Sequence, residues 1–226
     1  MSRTKQNGNG KGSLKDIQIL VNQNKNLLNA LIECKISSIY SYNIEWFSPL
    51  SEDEYAEYSD KDFISLLKLK LSIKKLEKFW PNRGPKWDAL GKTKSNEVLL
   101  VEAKANIPEM VSPGTTAKNE KSIKLINKSL NETKSFLKIK NDIDWSSKFY
   151  QYTNRIAHLY FLREINKIPA FLINIYFYND SLVNGPKSKR EWIAAIEVMK
   201  TYLGIKKHKL SQYMVDLFID IDDLCR

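Results

Sequence analysis

Cysteine and histidine are nearly absent from this chain of 226 residues: there are two of each. Cys34 and Cys225 stand at opposite ends, which excludes a disulfide framework and a CxxC metal knuckle. His158 and His208 alone cannot supply a zinc finger, an HExxH metalloprotease or a histidine-centred nuclease motif. No apolar run approaches the ~20 residues of a membrane span. There is no internal repeat, and no Gly-rich phosphate loop, so ATP dependence is not expected. Met1 to Gly12 is polar and carries no hydrophobic signal region. It predicts a flexible tail on a cytoplasmic protein, followed by a single domain over 13–226 that begins with a helical addition.

What the chain does have is positive charge. Lys and Arg number 36 against 26 Asp and Glu, a net charge of +10 and a pI of about 9.4. Such a balance points to a polyanionic partner, most often nucleic acid. The spacing of Leu14, Ile17, Leu20, Val21, Leu27, Leu28 and Leu31 predicts a helix over Ser13–Glu33. Ile36–Phe47 is a strand or an irregular apolar segment. Ser51 with Glu52, Asp53 and Glu54 reads as a helix start, with helical character continuing through Asp62–Phe79. Trp87–Gly91 is a short strand, Glu97–Ala105 a strong one, and 106–117 a loop. Residues 118–140 and Lys148–Ile165 are helical. Pro169–Tyr178 is apolar enough for a strand buried on both faces. Trp192–Leu203 is a helix and Tyr213–Ile221 a last short element. Alternating strands and helices predict a mixed α/β domain.

One segment carries chemistry. In Val98–Ala105 alternate residues share a face, so Glu102 and Lys104 project together, in line with Val98 and Leu100. A carboxylate and an ammonium ending an apolar strand are costly to desolvate unless something holds them. A hairpin through Lys92–Asn96 returns Asp88 to the neighbourhood of Glu102. Two adjacent carboxylates raise one another's pKa, and a divalent cation removes the conflict. Oxygen ligands without His or Cys favour Mg²⁺ or Mn²⁺. Glu-x-Lys occurs three times in the chain, but only the Glu102 copy ends an apolar strand after a Gly-Pro-x-Trp-Asp turn.

Asp88, the turn, and Val101-Glu102-Ala103-Lys104 together resemble the motif of the PD-(D/E)XK nuclease superfamily. The resemblance implies a restriction endonuclease-like core: a central mixed sheet with a three-strand antiparallel meander, flanked by helices. It implies that Asp88 and Glu102 hold the metal with the Ala103 carbonyl, and that Lys104 positions or deprotonates the water nucleophile. Many members add a helical glutamate before the meander; Glu57 is the choice here and Glu54 the runner-up. The first meander strand is then very short, at Lys78–Trp80. The implied activity is Mg²⁺-dependent hydrolysis of DNA, with RNA and a homodimer left open. The alternative is a non-catalytic nucleic-acid-binding protein on the same fold.

Gln151, Asn154, Arg155 and His158 share one helical face. Gln151 and Arg155 either orient the metal shell or bind phosphate, or the stripe is a solvent face. His158 is read as structural, and Trp80, Trp87 and Trp145 as core. Lys121, Lys124 and Lys128 are candidate contacts to a phosphate backbone, with Lys187–Arg190 and Lys206–Lys209 weaker ones.

Overall fold

The structure, a computed structural model, describes residues 2–40 and 43–224. Met1 of the expected tail, Ser41 and Tyr42 of the Ile36–Phe47 segment, and Cys225 lie outside the described residues. In chain order the elements are β1 (Arg3–Thr4), α1 (Ser13–Asn22), α2 (Lys25–Lys35), β2 (Ile44–Ser48), β3 (Glu57–Tyr58), α3 (Asp60–Leu66), α4 (Ile73–Phe79), β4 (Ala89–Thr93), β5 (Val98–Lys104), α5 (Ile107–Met110), α6 (Glu120–Leu137), α7 (Tyr150–Tyr160), β6 (Ala170–Tyr178), α8 (Lys189–Leu203) and β7 (Met214–Asp220). None of the described helices is long and apolar enough to cross a membrane.

The chain is mixed α/β, with a five-stranded mixed sheet in the order β2-β4-β5-β6-β7 flanked by helices. β2, β4 and β5 are antiparallel neighbours, whereas β5–β6 and β6–β7 are parallel. The alternation along β5 builds both faces. Leu99, Val101 and Ala103 join Leu20, Leu28 and Ile32 of α1 and α2 in one core. Val98 and Leu100 join residues of α6, α7 and α8 in the other. β6 lies between two parallel neighbours and is buried along eight of its nine residues, which explains its unbroken apolar run.

Several expectations change. The first helix breaks at Gln23–Asn24 into α1 and α2. The first meander strand is β2, not Lys78–Trp80: Lys78 and Phe79 close α4. β2 pairs with a strand more than forty residues further along, and Trp46 lies across from Gly91. A Cβ on Gly91 would come within 3.0 Å of the Trp46 ring, so the absent side chain makes room for it. The helix expected at Ser51 is a single 3₁₀ turn, ended by positive φ at Glu54 and Tyr55. Glu57 therefore stands on a two-residue strand, not a helix. The segment expected as a free tail is tied down, because β1 pairs with β3. There Arg3 bonds Asp53 at 2.5 Å and the Ser59 amide donates to the Ser2 carbonyl at 2.7 Å.

The 184–186 turn seats against the end of β5. A Cβ on Gly185 would fall 2.0 Å from the Ala105 carbonyl oxygen. Gly185→Ala must displace backbone next to Lys104. A thermal melt should show a loss of about 2 kcal/mol, typical of overpacking; an unchanged melt would mean that the turn is not seated there.

Candidate active site

β5 runs out beyond the end of β4, and that overhang makes the site. The last paired residues are Ala89 and Val101. Asp88, one residue before β4, meets Ala103 instead: the Ala103 amide donates to Asp88 Oδ2 at 2.7 Å. A strand residue's N–H and C=O point to the same edge, so the Ala103 carbonyl also turns towards Asp88. Glu102 and Lys104 emerge on the α7 side of the sheet, and the Lys104 ammonium bonds Glu102 Oε1. From α7, Arg155 reaches Glu102 Oε2 through Nε and Nη2, both at 2.6 Å.

Asp88, Glu102, Lys104, Glu57, Gln151 and Arg155 line one cleft of about 380 Å³. Trp80, Arg83, Lys86, Ser112, Tyr150 and Asn154 are also among its lining residues. Electrostatics differ sharply from group to group. Burial pushes the Asp88 carboxyl up to about 8, and the Glu102 charge adds to the effect. Burial also acts to raise Glu102, but Arg155 and then Lys104 outweigh it and hold that carboxylate below its ordinary range. Burial acts to lower Lys104, yet Glu102 and Asp88 keep its ammonium above the usual value. Glu57 is raised, mainly by burial, and a hydrogen bond from the Gln6 side chain opposes the rise.

Arg155 is only 4% exposed. Besides Glu102, its guanidinium bonds Asn154 Oδ1 at 2.8 Å and the Lys86 carbonyl at 2.7 Å, and it lies 4.9 Å over the Trp87 ring. It is a buried counter-ion rather than an arm extended to a phosphate. His158 is buried between Trp80 and Trp87, donates from Nδ1 to the Asn154 carbonyl at 2.9 Å, and is pushed down to about 3 by burial. It stays neutral and structural. Comparison with family models, with curated proteins and with solved structures finds no match.

The Lys121, Lys124 and Lys128 side chains are exposed on α6 and do not line the cleft. The core face of α6 carries Ile126, Leu130 and Leu137, and the lysines lie on the far side of the helix. Lys124 pairs with Glu120 at 2.5 Å. Glu54, the runner-up, bonds Lys5 on the surface. Sequence reasoning missed Gln6, because nothing local marks a residue near the N-terminus as a partner of Glu57. It also missed Lys86 and Tyr150, which only the fold brings to the cleft.

A divalent cation can be tested against these donors. Among the described residues no three Asp, Glu, His or Cys side chains form a ready-made cage. Two carboxylates and a backbone carbonyl do converge on the β4–β5 overhang, an all-oxygen set suited to Mg²⁺ or Mn²⁺. The raised Asp88 carboxyl fits such a cation, because a positive charge beside it would reverse the shift. Glu57, bonded to Gln6, faces the same cleft from the other wall.

Proposed function

We propose that this chain is a divalent-cation-dependent nuclease that hydrolyses phosphodiester bonds of DNA, built on a restriction endonuclease-like core. Its supporting topology is an antiparallel β2-β4-β5 meander, then helix α7, then β6 parallel to β5. The observation that carries the reading is the convergence of Asp88, Glu102 and Lys104, from two neighbouring strands, on one cleft. Asp88, Glu102 and the Ala103 carbonyl would hold Mg²⁺ or Mn²⁺, which when bound polarises the phosphate and acidifies a water. Lys104 stays an ammonium, so it offsets phosphate charge and positions water rather than removing a proton. Arg155 fixes Glu102 and keeps it ionised. Gln6 holds Glu57 on the facing wall.

One observation favours the non-catalytic alternative: both Glu102 oxygens already carry a cationic partner. The two readings part in a single assay. Supercoiled, linear, branched and single-stranded DNA are incubated with Mg²⁺ or Mn²⁺, using wild type and Lys104→Ala. The nuclease reading expects metal-dependent cleavage by wild type and a loss of at least about a hundredfold in the variant, the scale of one removed transition-state partner. Salt-dependent binding without cleavage in either metal would leave only the binding protein.

A further inference from the structure

A concentration of five lysines lies away from the cleft. α6 and α8 end side by side, each with a left-handed residue, Lys138 and Gly204. Asn141 joins them by donating its side-chain amide to the Leu203 carbonyl at 2.9 Å. Around this junction opens a cavity of about 560 Å³, lined by Lys138, Lys140, Lys206, Lys207, His208 and Lys209 with no acidic residue. Among the described residues none of these five lysines forms an ion pair; Lys209 instead lies 5.0 Å from the Phe136 ring. The Leu210 amide donates to His208 Nδ1 at 3.2 Å, so the neutral ring carries its proton on Nε2 as a further donor.

Lysines at helix C-termini have a plain use, since they offset the helix dipole. Two helix ends supply roughly one negative charge between them, about half a unit each. Five lysines exceed that by about four charges, and the terminal carbonyls are already capped by the Gly204, Ile205 and Asn141 donors. Nearby acids absorb little of the surplus. In the adjoining cavity Asp216 is taken by Lys200 at 3.1 Å, which leaves Glu197 as the one carboxylate beside Lys206 and Lys207, and Asp142 and Asp144 act on Lys134. Mutually repelling ammonium groups around one concavity suit a polyanion with closely spaced charges.

The position of the cavity adds a second argument. The N-terminal end of α6, at Asn119 and Ser122, borders a groove that shares Trp80, Arg83, Thr116 and Tyr150 with the catalytic cleft. Its C-terminal end borders the basic cavity. Eighteen residues of helix separate the two ends, a span of about 27 Å. That is about eight base steps of duplex at roughly 3.4 Å each. Exposed Lys121, Lys124 and Lys128 lie along the helix between them.

We propose that the cavity between the C-termini of α6 and α8 binds the phosphate backbone of duplex DNA, as a second contact one helix length from the groove that adjoins the catalytic cleft. The proposal stands apart from the catalytic reading, because a chain that cut nothing would still bind here. It is tested by titrating a duplex of roughly 25 base pairs, long enough to span both sites, across a salt series in EDTA. The proteins compared are wild type, Lys206→Glu/Lys207→Glu/Lys209→Glu, and the equal charge change Lys70→Glu/Lys74→Glu/Lys75→Glu on exposed positions elsewhere. The cavity triple should lose more than tenfold in affinity, and its salt slope should fall by about 2–3, since each neutralised phosphate contributes about 0.9. The second triple should change neither by as much. Equal losses in both triples, or none in the cavity triple, would overturn the proposal. Should the Glu triple fail to fold, the Gln triple at the same positions is read the same way. Failure of the nuclease reading would show separately, as absent cleavage in Mg²⁺ with the cavity effect intact.

Discussion

Asp88→Asn is expected to abolish metal-dependent cleavage while making the protein more stable at pH 8. Both effects arise from one carboxyl. Burial, then the charge on Glu102, raises Asp88 from 3.8 to about 8. The raised folded value means that the native state holds a proton which the unfolded chain releases. The stability from that proton is complete below about pH 4 and is lost as the pH rises towards 8. Asparagine keeps an oxygen for the Ala103 amide and removes the charge. The variant should gain at least about 1 kcal/mol at pH 8, the equivalent of a single pKa unit, and gain nothing at pH 4. On the proposed function Mg²⁺ should raise the wild-type melting temperature at pH 8 but not that of Asp88→Asn. A variant that cut DNA at the wild-type rate would remove Asp88 from the site. Equal melting curves at pH 8 would mean that Asp88 is not strained as described.

Arg155→Met should be the most damaging single change to stability. It strips the buried Glu102 of its partner at Oε2 and leaves the Lys86 carbonyl without its donor. Removing one member of a buried ion pair costs about 3–5 kcal/mol. In a domain of this size each kcal/mol moves the melting temperature by roughly 2–4 °C, so a drop of roughly 10 °C is expected. Glu102 is held below its ordinary value, so its contribution is present above the usual glutamate pKa and is lost as the pH falls through the folded value. The gap between wild type and variant should therefore narrow in acid. Arg155→Met combined with Glu102→Met removes both charges and should recover part of the loss. A double variant at least as unstable as the single one would mean that packing over Trp87, not charge, is the role of Arg155.

The legible parts of the fold were those written in local periodicity. The alternation in Val98–Lys104 correctly set Glu102 and Lys104 on the face of Val98 and Leu100, and the apolar run of β6 announced its burial. Asp88 could be placed because a short polar turn leaves a hairpin little freedom. β2 was not legible: Trp46 makes sense only against Gly91, on a strand the local pattern cannot name. Glu57 was chosen for a place on a helix before the meander, and both parts were misread: it falls between β2 and β4, inside the meander, and stands on the two-residue β3. The acidic run at Ser51–Glu54 that suggests a helix start is spent on Arg3, Lys5 and Tyr58. The Gln151–His158 stripe was ambiguous because periodicity defines a face without saying what the face meets. The structure turns Asn154, Arg155 and His158 inward, and only Gln151 remains half-exposed on the cleft.

The pairing of β1 with β3 has a consequence for how the molecule comes into being. The walls of the cleft are drawn from Glu57, Asp88, Glu102 and Arg155, with Gln6 bonded to Glu57, so its parts leave the ribosome at widely separated times. Glu102 emerges some fifty residues before the guanidinium that neutralises it, and β6, its neighbour in the sheet, follows later still. During synthesis the carboxylates are present with Lys104 but without Arg155, and without the completed sheet to hold them in register. A nascent or prematurely terminated chain that stops before α7 carries the motif but not the site.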